Sequence, residues 1–164
     1  MNNLEFIATT SDDLYELKDI YTYYIENSTA TFHIGEISYK EMYDILFYDD
    51  PIYKSFVIKS NGETAGYILL CPYKKRAAYR RSAEVTIYLK NGYTSKGIGS
   101  RALKFIEEFA IGNNIHTLLS IICGENIASI KLFESNGYEK CGHLNKVGMK
   151  FNRILDIVIY QKEI

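Results

Sequence analysis

Apolar residues recur along this chain with two periods. Leu4-Glu5-Phe6-Ile7-Ala8 reads as a short strand. Leu14, Leu17, Ile20, Tyr21 and Tyr24 then return every three or four positions, the stripe of an amphipathic helix. Ser11 is its expected N-cap, with Asp12 and Asp13 favourably placed in the first turn. The polar loop Glu26-Asn27-Ser28-Thr29 ends it. A second helix is predicted from about Tyr39 to Phe47, broken by Tyr48-Asp49-Asp50-Pro51. Phe56-Val57-Ile58 and Ala65 to Leu70 flank Asn61-Gly62, the strongest hairpin signal in the sequence. Ala83 to Leu89 predicts another strand. Ala102, Leu103, Ile106, Phe109 and Ala110 predict the helix after it, closed by Gly112-Asn113-Asn114. The unbroken apolar run Leu118-Leu119-Ser120-Ile121-Ile122 predicts a strand buried on both faces. Asn126 opens a short helix that Asn136-Gly137 stops, and Cys141 to Phe151 and Ile154 to Tyr160 read as two closing antiparallel strands.

The predicted order is β-α-α-β-β-β-α-β-α-β-β. One strand–helix–strand crossover makes two strands parallel, and hairpins lie on either side of it. The expected class is α/β (α+β), a mixed, mostly antiparallel sheet flanked by helices. No repeat, linker or low-complexity stretch divides the chain, so 1–164 is expected to form one domain.

Composition narrows the function classes. A net charge of −1, with no basic tail, gives no footprint for nucleic acid or a membrane surface. Asn2-Asn3-Leu4-Glu5 is no signal-peptide start, and no apolar run approaches spanning length. Cys71, Cys123 and Cys141 are widely spaced, which fits free thiols in a reducing, cytoplasmic setting. These cysteines and His33, His116 and His143 show no metal-ligand spacing, so no metal is expected. The chain holds 15 tyrosines, which points to rings packed in the core or lining a pocket with the hydroxyl on a partner.

Two stretches carry candidate chemistry. Ser95-Lys96-Gly97-Ile98-Gly99-Ser100-Arg101 lies between a strand and a helix. Helix-start N–H groups are unpaired, the macrodipole favours an anion there, and glycine lets a phosphate approach the main chain. The stretch reads either as a pyrophosphate site or as an ordinary glycine-rich loop. Gly97 to Ala102 also satisfies G-x-G-x-x-G/A, with Glu125 placed as a ribose-binding acid. Against that dinucleotide reading, Lys90 to Thr94 intervene between strand and glycine, and antiparallel hairpins surround the single crossover. The second stretch, Tyr73 to Arg81, interleaves five cations with two tyrosines. On spacing alone it is read as a solvated face before an anion site.

Taken together these residues resemble the GNAT superfamily of acetyl-CoA-dependent N-acetyltransferases, whose element order matches over nearly the whole chain. The superfamily loop R/Q-x-x-G-x-G/A reads Thr94-Ser95-Lys96-Gly97-Ile98-Gly99, with Thr94 departing from the pattern. The later motif, Asn followed by a helix ending L-Y-E-x-x-G-F/Y, reads from Asn126 to Leu132-Phe133-Glu134-Ser135-Asn136-Gly137-Tyr138. Within the superfamily the chain resembles phosphinothricin and methionine sulfoximine acetyltransferases. Three further stretches carry that likeness: Tyr24 to Phe32, Arg76-Ala77-Ala78-Tyr79-Arg80 with Ala83-Glu84, and Val147 to Asp156.

The resemblance implies transfer of an acetyl group from acetyl-CoA to the amino group of a small anionic amino acid such as phosphinothricin, methionine sulfoximine or methionine sulfone. It implies Glu84 as general base, since an acid in an otherwise apolar strand is desolvated and its pKa raised. A backbone N–H near Ile87 or Tyr88 would polarise the thioester carbonyl, and the backbone of Ile87, Tyr88 and Leu89 would pair with the pantetheine. Ser95, Lys96, Gly97, Ile98, Gly99 and Ser100 would hold the pyrophosphate, and Asn126 the pantetheine region. Arg76 and Arg80 would bind the substrate's anionic groups, with Tyr79, Phe32 and Tyr24 as pocket walls. Lys150 is a further substrate candidate, reaching a neighbouring subunit, because relatives are homodimers. Phe133 stands where relatives carry Tyr or His, and it can neither give nor take a proton. The alternatives are acetylation of another amine, such as a protein N-terminus, or a non-catalytic acyl-CoA-binding sensor. Polyamines and aminoglycosides are cationic and disfavoured by the basic loop.

Overall fold

The computed structural model describes residues 3–164. In chain order its elements are β1 (Leu4–Ala8), α1 (Leu14–Asn27), α2 (Tyr39–Leu46), β2 (Lys54–Ser60), β3 (Glu63–Pro72), β4 (Ser82–Leu89), α3 (Ile98–Gly112), β5 (Thr117–Cys123), α4 (Ile127–Ser135), β6 (Glu139–Lys150) and β7 (Arg153–Glu163), with single 3-10 turns at Ser11–Asp13 and Ala77–Tyr79. The strands form one seven-stranded sheet in the order β1-β2-β3-β4-β5-β7-β6. Every neighbouring pair is antiparallel except β4 and β5, the pair joined through α3. The expected α/β architecture is therefore observed. The β2–β3 turn places Asn61 at φ 52° and Gly62 at φ 85°, the backbone that a two-residue hairpin turn demands.

Two sequence expectations need correction. The cap before α1 is Thr10, one residue earlier than Ser11. Asp13 decides it, because its carboxylate accepts from both the Thr10 N–H (2.8 Å) and the Thr10 hydroxyl (3.0 Å). β5 is not buried along its whole length: Ile121 is 40% exposed, because the sheet opens beside it.

Alternation in the strands sends side chains to two cores. On one face Val57, Tyr67, Leu69 and Tyr88 pack against Leu17, Ile20, Tyr21 and Ile25 of α1 and Met42 and Leu46 of α2. On the other, Ile58, Ile68, Leu70, Val85 and Ile122 pack against Ile98, Ala102, Leu103 and Ile106 of α3 and Phe133 of α4. Glu84, Thr86 and Tyr88 alternate with Val85 and Ile87, so Glu84 projects toward the α1–α2 side.

The β6–β7 hairpin buttresses the chain after α1. Its turn residues Phe151 and Asn152 stand at φ 52° and 57°. Lys150, expected to reach a neighbouring subunit, is instead 3% exposed, and its Nζ donates to the main-chain carbonyls of Thr31 (2.9 Å) and Tyr24 (3.5 Å). The same ammonium stands over the Phe151 ring, 5.0 Å from its centroid, and its burial lowers its pKa. Phe32 packs against Gly148, where an added Cβ would stand 2.3 Å from the ring. Gly148→Ala therefore expels Phe32 or bends the hairpin. A loss of about 1–3 kcal/mol in unfolding free energy is expected by urea denaturation, of the order measured for overpacked sites.

Candidate active site

The site begins where a ladder stops. β4 pairs with β3 along its length, from Ala83↔Pro72 to Leu89↔Gly66. It pairs with β5 only through Ser82↔Thr117, Ala83↔Leu118 and Glu84↔Leu119. Beyond Glu84 the β5-facing edge of β4 has no strand partner. The Lys90 N–H donates to Ala65 on β3, so the Leu89 carbonyl, on the other side of that peptide plane, points into the opening. By the strand's alternation the Ile87 peptide groups face the opening too, whereas those of Tyr88 face β3. The sequence reading left the polarising N–H between Ile87 and Tyr88, and the register favours Ile87.

A cavity of about 1140 Å³ occupies this opening. Ile87, Tyr88 and Leu89 form one wall, Tyr24 with Asn27 to Ala30 a second, and Asn126 with α4 a third. Thr94, Ser95, Gly97, Gly99 and Ser100 close its far end. Ser95 (φ 59°) and Gly97 (φ 75°) both adopt the left-handed conformation, which turns successive N–H groups toward one side just before α3. The two glycines do different work. A Cβ on Gly97 would meet nothing within 4 Å, so this position serves the backbone conformation and an open approach. A Cβ on Gly99 would lie 3.0 Å from Leu132, so here the missing side chain lets α3 pack on α4. Ile98 turns its side chain into the core, leaving only its main chain for the cavity end. Lys96 places its ammonium over the Tyr93 ring, 5.5 Å from the centroid, outside the lining. Asn126 caps α4 through its side chain, which accepts from the Ser129 N–H at 3.2 Å.

Glu84 stands between two further cavities. The smaller, about 220 Å³, is framed by β4, Ser120 to Ile122 of β5, Phe32, Asn126 and Phe133. The other, about 740 Å³, lies on the α1–α2 side and is lined by Tyr21, Ile45, Tyr48, Cys71, Lys74, Lys75 and others. Burial raises the Glu84 pKa above its ordinary value, offset in part by the charge of Lys74. Cys71 lies directly opposite Glu84 in the β3–β4 register. Burial and the Glu84 carboxylate push its thiol up to about 12, so it stays protonated. Phe133 is 2% exposed and packs edge-on to Tyr138, with ring centroids 4.9 Å apart. Tyr88 lines all three cavities, and burial raises its pKa.

The basic loop divides differently from the sequence reading. Lys74 and Lys75 face the larger cavity beside Glu84, whereas Arg76, Tyr79 and Arg80 line none of the three. Arg80 donates to Asp50 through Nε (3.1 Å) and Nη2 (3.3 Å), and Tyr79 packs edge-on to Tyr73. Tyr24 lines the large cavity and not the one beside Lys74, and its hydroxyl donates to the Leu89 carbonyl at 2.6 Å. Phe32 reaches the small cavity. Tyr48, Cys71 and Lys74 are residues the sequence reading missed. Lys74 was visible in the basic run, Cys71 needed the strand register, and Tyr48 carried no signal. Glu125, the acid of the dinucleotide reading, is gripped at both oxygens by Arg153 (2.6 and 2.9 Å) and accepts from Thr29 (2.7 Å), so no ribose-binding carboxylate stands ready. Among the described residues no group of three His, Cys, Asp or Glu side chains is placed to hold a metal, and no helix is long and apolar enough to cross a membrane.

An unpaired strand edge, leading to backbone donors at a helix start with open space before Gly97, suits a long ligand with an amide-bearing arm and a phosphate end. Comparison with known proteins agrees. The pattern of the acetyltransferase (GNAT) domain matches residues 7–159. A phosphinothricin N-acetyltransferase of Streptomyces coelicolor is 28% identical over 155 residues, covering 92% of this chain and 91% of its own. A ribosomal-protein-alanine N-acetyltransferase of Brucella melitensis superposes with a TM-score of 0.90 at 29% identity, covering 99% of both chains. The phosphinothricin acetyltransferase of Sinorhizobium meliloti, solved with acetyl-CoA, superposes with a TM-score of 0.89 at 26% identity, covering 99% of this chain and 88% of its own. The dinucleotide reading is thereby set aside: the chain belongs to the GNAT family, and it is an acetyl-CoA-dependent N-acetyltransferase.

Proposed function

We propose that this enzyme acetylates the amino group of a small anionic amino acid of the phosphinothricin or methionine sulfoximine kind, with Glu84 as general base. The observation that carries this is the position of Glu84, a desolvated carboxyl between the opening of β4 and β5 and a cavity lined by Lys74 and Lys75. When bound, acetyl-CoA supplies an activated acetyl group whose transfer to an amine releases the thiol. The backbone of Ser95 to Ser100 would hold its phosphates at the start of α3, and Asn126 and the open edge of Ile87 to Leu89 its pantetheine arm.

The cavity beside Lys74 would receive the amino acid. An ammonium has no lone pair, so one proton must leave before the nitrogen attacks. The Glu84 carboxylate takes it, and its raised pKa brings the base closer in strength to the amine it serves. The Ile87 N–H would donate to the carbonyl oxygen as negative charge grows there. Phe133 supplies no proton, and a thiol with an ordinary pKa near 8.5 leaves without one. Lys74 and Lys75 would take the anionic groups of the substrate. The relative from Streptomyces, named for phosphinothricin, supports the substrate class.

Glu84→Gln is expected to lower kcat by about 10²–10⁴ while acetyl-CoA binding by calorimetry is unchanged, and equal turnover would remove Glu84 from the mechanism. The raised carboxyl places the acid limb of kcat/KM above the ordinary glutamate value of 4.5. The same shift means that the ionised form is disfavoured in the folded state. The native protein gives up that stability as pH rises through the folded pKa, so Glu84→Gln should be the more stable protein at pH 7, with the difference vanishing in acid below the unfolded pKa. Lys74→Ala should raise KM for the anionic substrate roughly tenfold or more, and Arg80→Ala less, because Arg80 is engaged by Asp50. The reverse order would return the anion site to the arginines.

A further inference from the structure

The phosphate end of the large cavity has a charge deficit on its loop side. A pyrophosphate bridge is anionic, yet the side chains that the loop turns to the cavity, Thr94, Ser95 and Ser100, are all neutral. Lys96 lies over Tyr93, and neither it nor Arg101 is among the lining residues. Only two cationic side chains line the cavity among the described residues, Lys131 and Arg153. Arg153 is committed to Glu125 in a two-point ion pair.

Lys131 is placed differently. Ala128, Lys131, Leu132 and Ser135 fall on one stripe of α4, and all four line the cavity. Leu132 lies against Gly99, close enough that an added Cβ would stand 3.0 Å from its methyl groups, so this level of α4 is fixed on the first turn of α3. Lys131 is the neighbouring residue, exposed, with no ion pair among the described residues. Lys131 and the loop line the same cavity, so an anion held by the loop N–H groups shares that cavity with an ammonium from α4. Lysine suits this as a flexible point charge at the rim of a site whose directional contacts come from the main chain.

We propose that Lys131 is a binding residue for the pyrophosphate of acetyl-CoA, supplying from α4 the positive charge that the loop itself does not present. The assignment rests on the reading that the loop receives that pyrophosphate. It is tested by calorimetric binding of CoA and of 3′-dephospho-CoA to the wild type, to Lys131→Gln and to Thr94→Arg/Lys131→Gln. Lys131→Gln is expected to weaken both ligands alike, roughly tenfold, and to flatten the dependence of affinity on salt. Thr94→Arg, which puts a cation on the opposite wall of the same cavity, should recover most of the loss. Undiminished binding by Lys131→Gln overturns the proposal. So does a loss confined to CoA, which would assign the lysine to the 3′-phosphate, or a loss with unaltered salt dependence, which would make it a packing residue. Wild-type protein that binds neither ligand would overturn the loop reading itself, a result separate from these.

Discussion

The parallel pairing of β4 with β5 ends at Glu84↔Leu119, and the rest of the site depends on that ending. Backbone N–H and C=O groups in a sheet interior are otherwise paired, so a run without a strand neighbour inside a seven-stranded sheet is where the proposed mechanism lays the acyl donor. The same register that opens the β5 edge at Ile87 and Leu89 puts Glu84, Thr86 and Tyr88 on the α1–α2 face. The open edge and Glu84 thus belong to one strand. In the proposed mechanism the amine approaches Glu84 from the side of Lys74, and the acyl donor runs along the opening.

Much of the remaining structure holds that opening in shape. Tyr21, Tyr24 and Tyr67 surround Tyr88 with ring centroids 5.3, 5.0 and 5.5 Å away. Such aromatic pairs contribute about 0.5–1.5 kcal/mol beyond area burial, so the cluster stiffens β4 where it lacks a strand neighbour. The Tyr21 hydroxyl pairs with the Thr31 hydroxyl at 2.7 Å, tying the chain after α1 to the cluster. From the other side the hairpin of β6 and β7 supports the same segment through Lys150 on Thr31 and Gly148 under Phe32. Thr29, Glu125 and Arg153 link three parts of the rim. Tyr21 and Tyr24 show what tyrosine does here: a large ring for a core and a hydroxyl for a neighbouring hydroxyl or carbonyl.

The sequence made the fold legible wherever a period or a cap carried it. The apolar neighbours Ala83 and Val85 put Glu84 in a strand, though alternation left its side of the sheet open, and Gly97 and Gly99 marked the helix start. The loop between β3 and β4 was not legible in the same way. A loop has no period, so Lys74 could not be told from Arg76 by spacing, and the partner of Arg80 is Asp50, 30 residues earlier. The role of Lys150 was hidden for the same reason, since it is fixed by contacts more than 100 residues away, with |i−j| of 119 and 126. The shift of the α1 cap from Ser11 to Thr10 turned on which residue lies three positions before Asp13, a local fact that a composition rule blurs. Tyr48 reaches the cavity from the end of α2, through tertiary packing that no local pattern encodes.

The proposed function turns on the kind of amine that the site accepts. The most direct measurement is thiol release from acetyl-CoA by the purified wild-type protein, with phosphinothricin, methionine sulfone and methionine sulfoximine set against spermidine and a ribosomal-type N-terminal peptide. Release is expected with the anionic amino acids and little with the polyamine or the peptide. Release with the peptide or spermidine alone would contradict it, leaving the fold and the acetyl-CoA site in place but removing the anionic amino acid from the cavity beside Lys74.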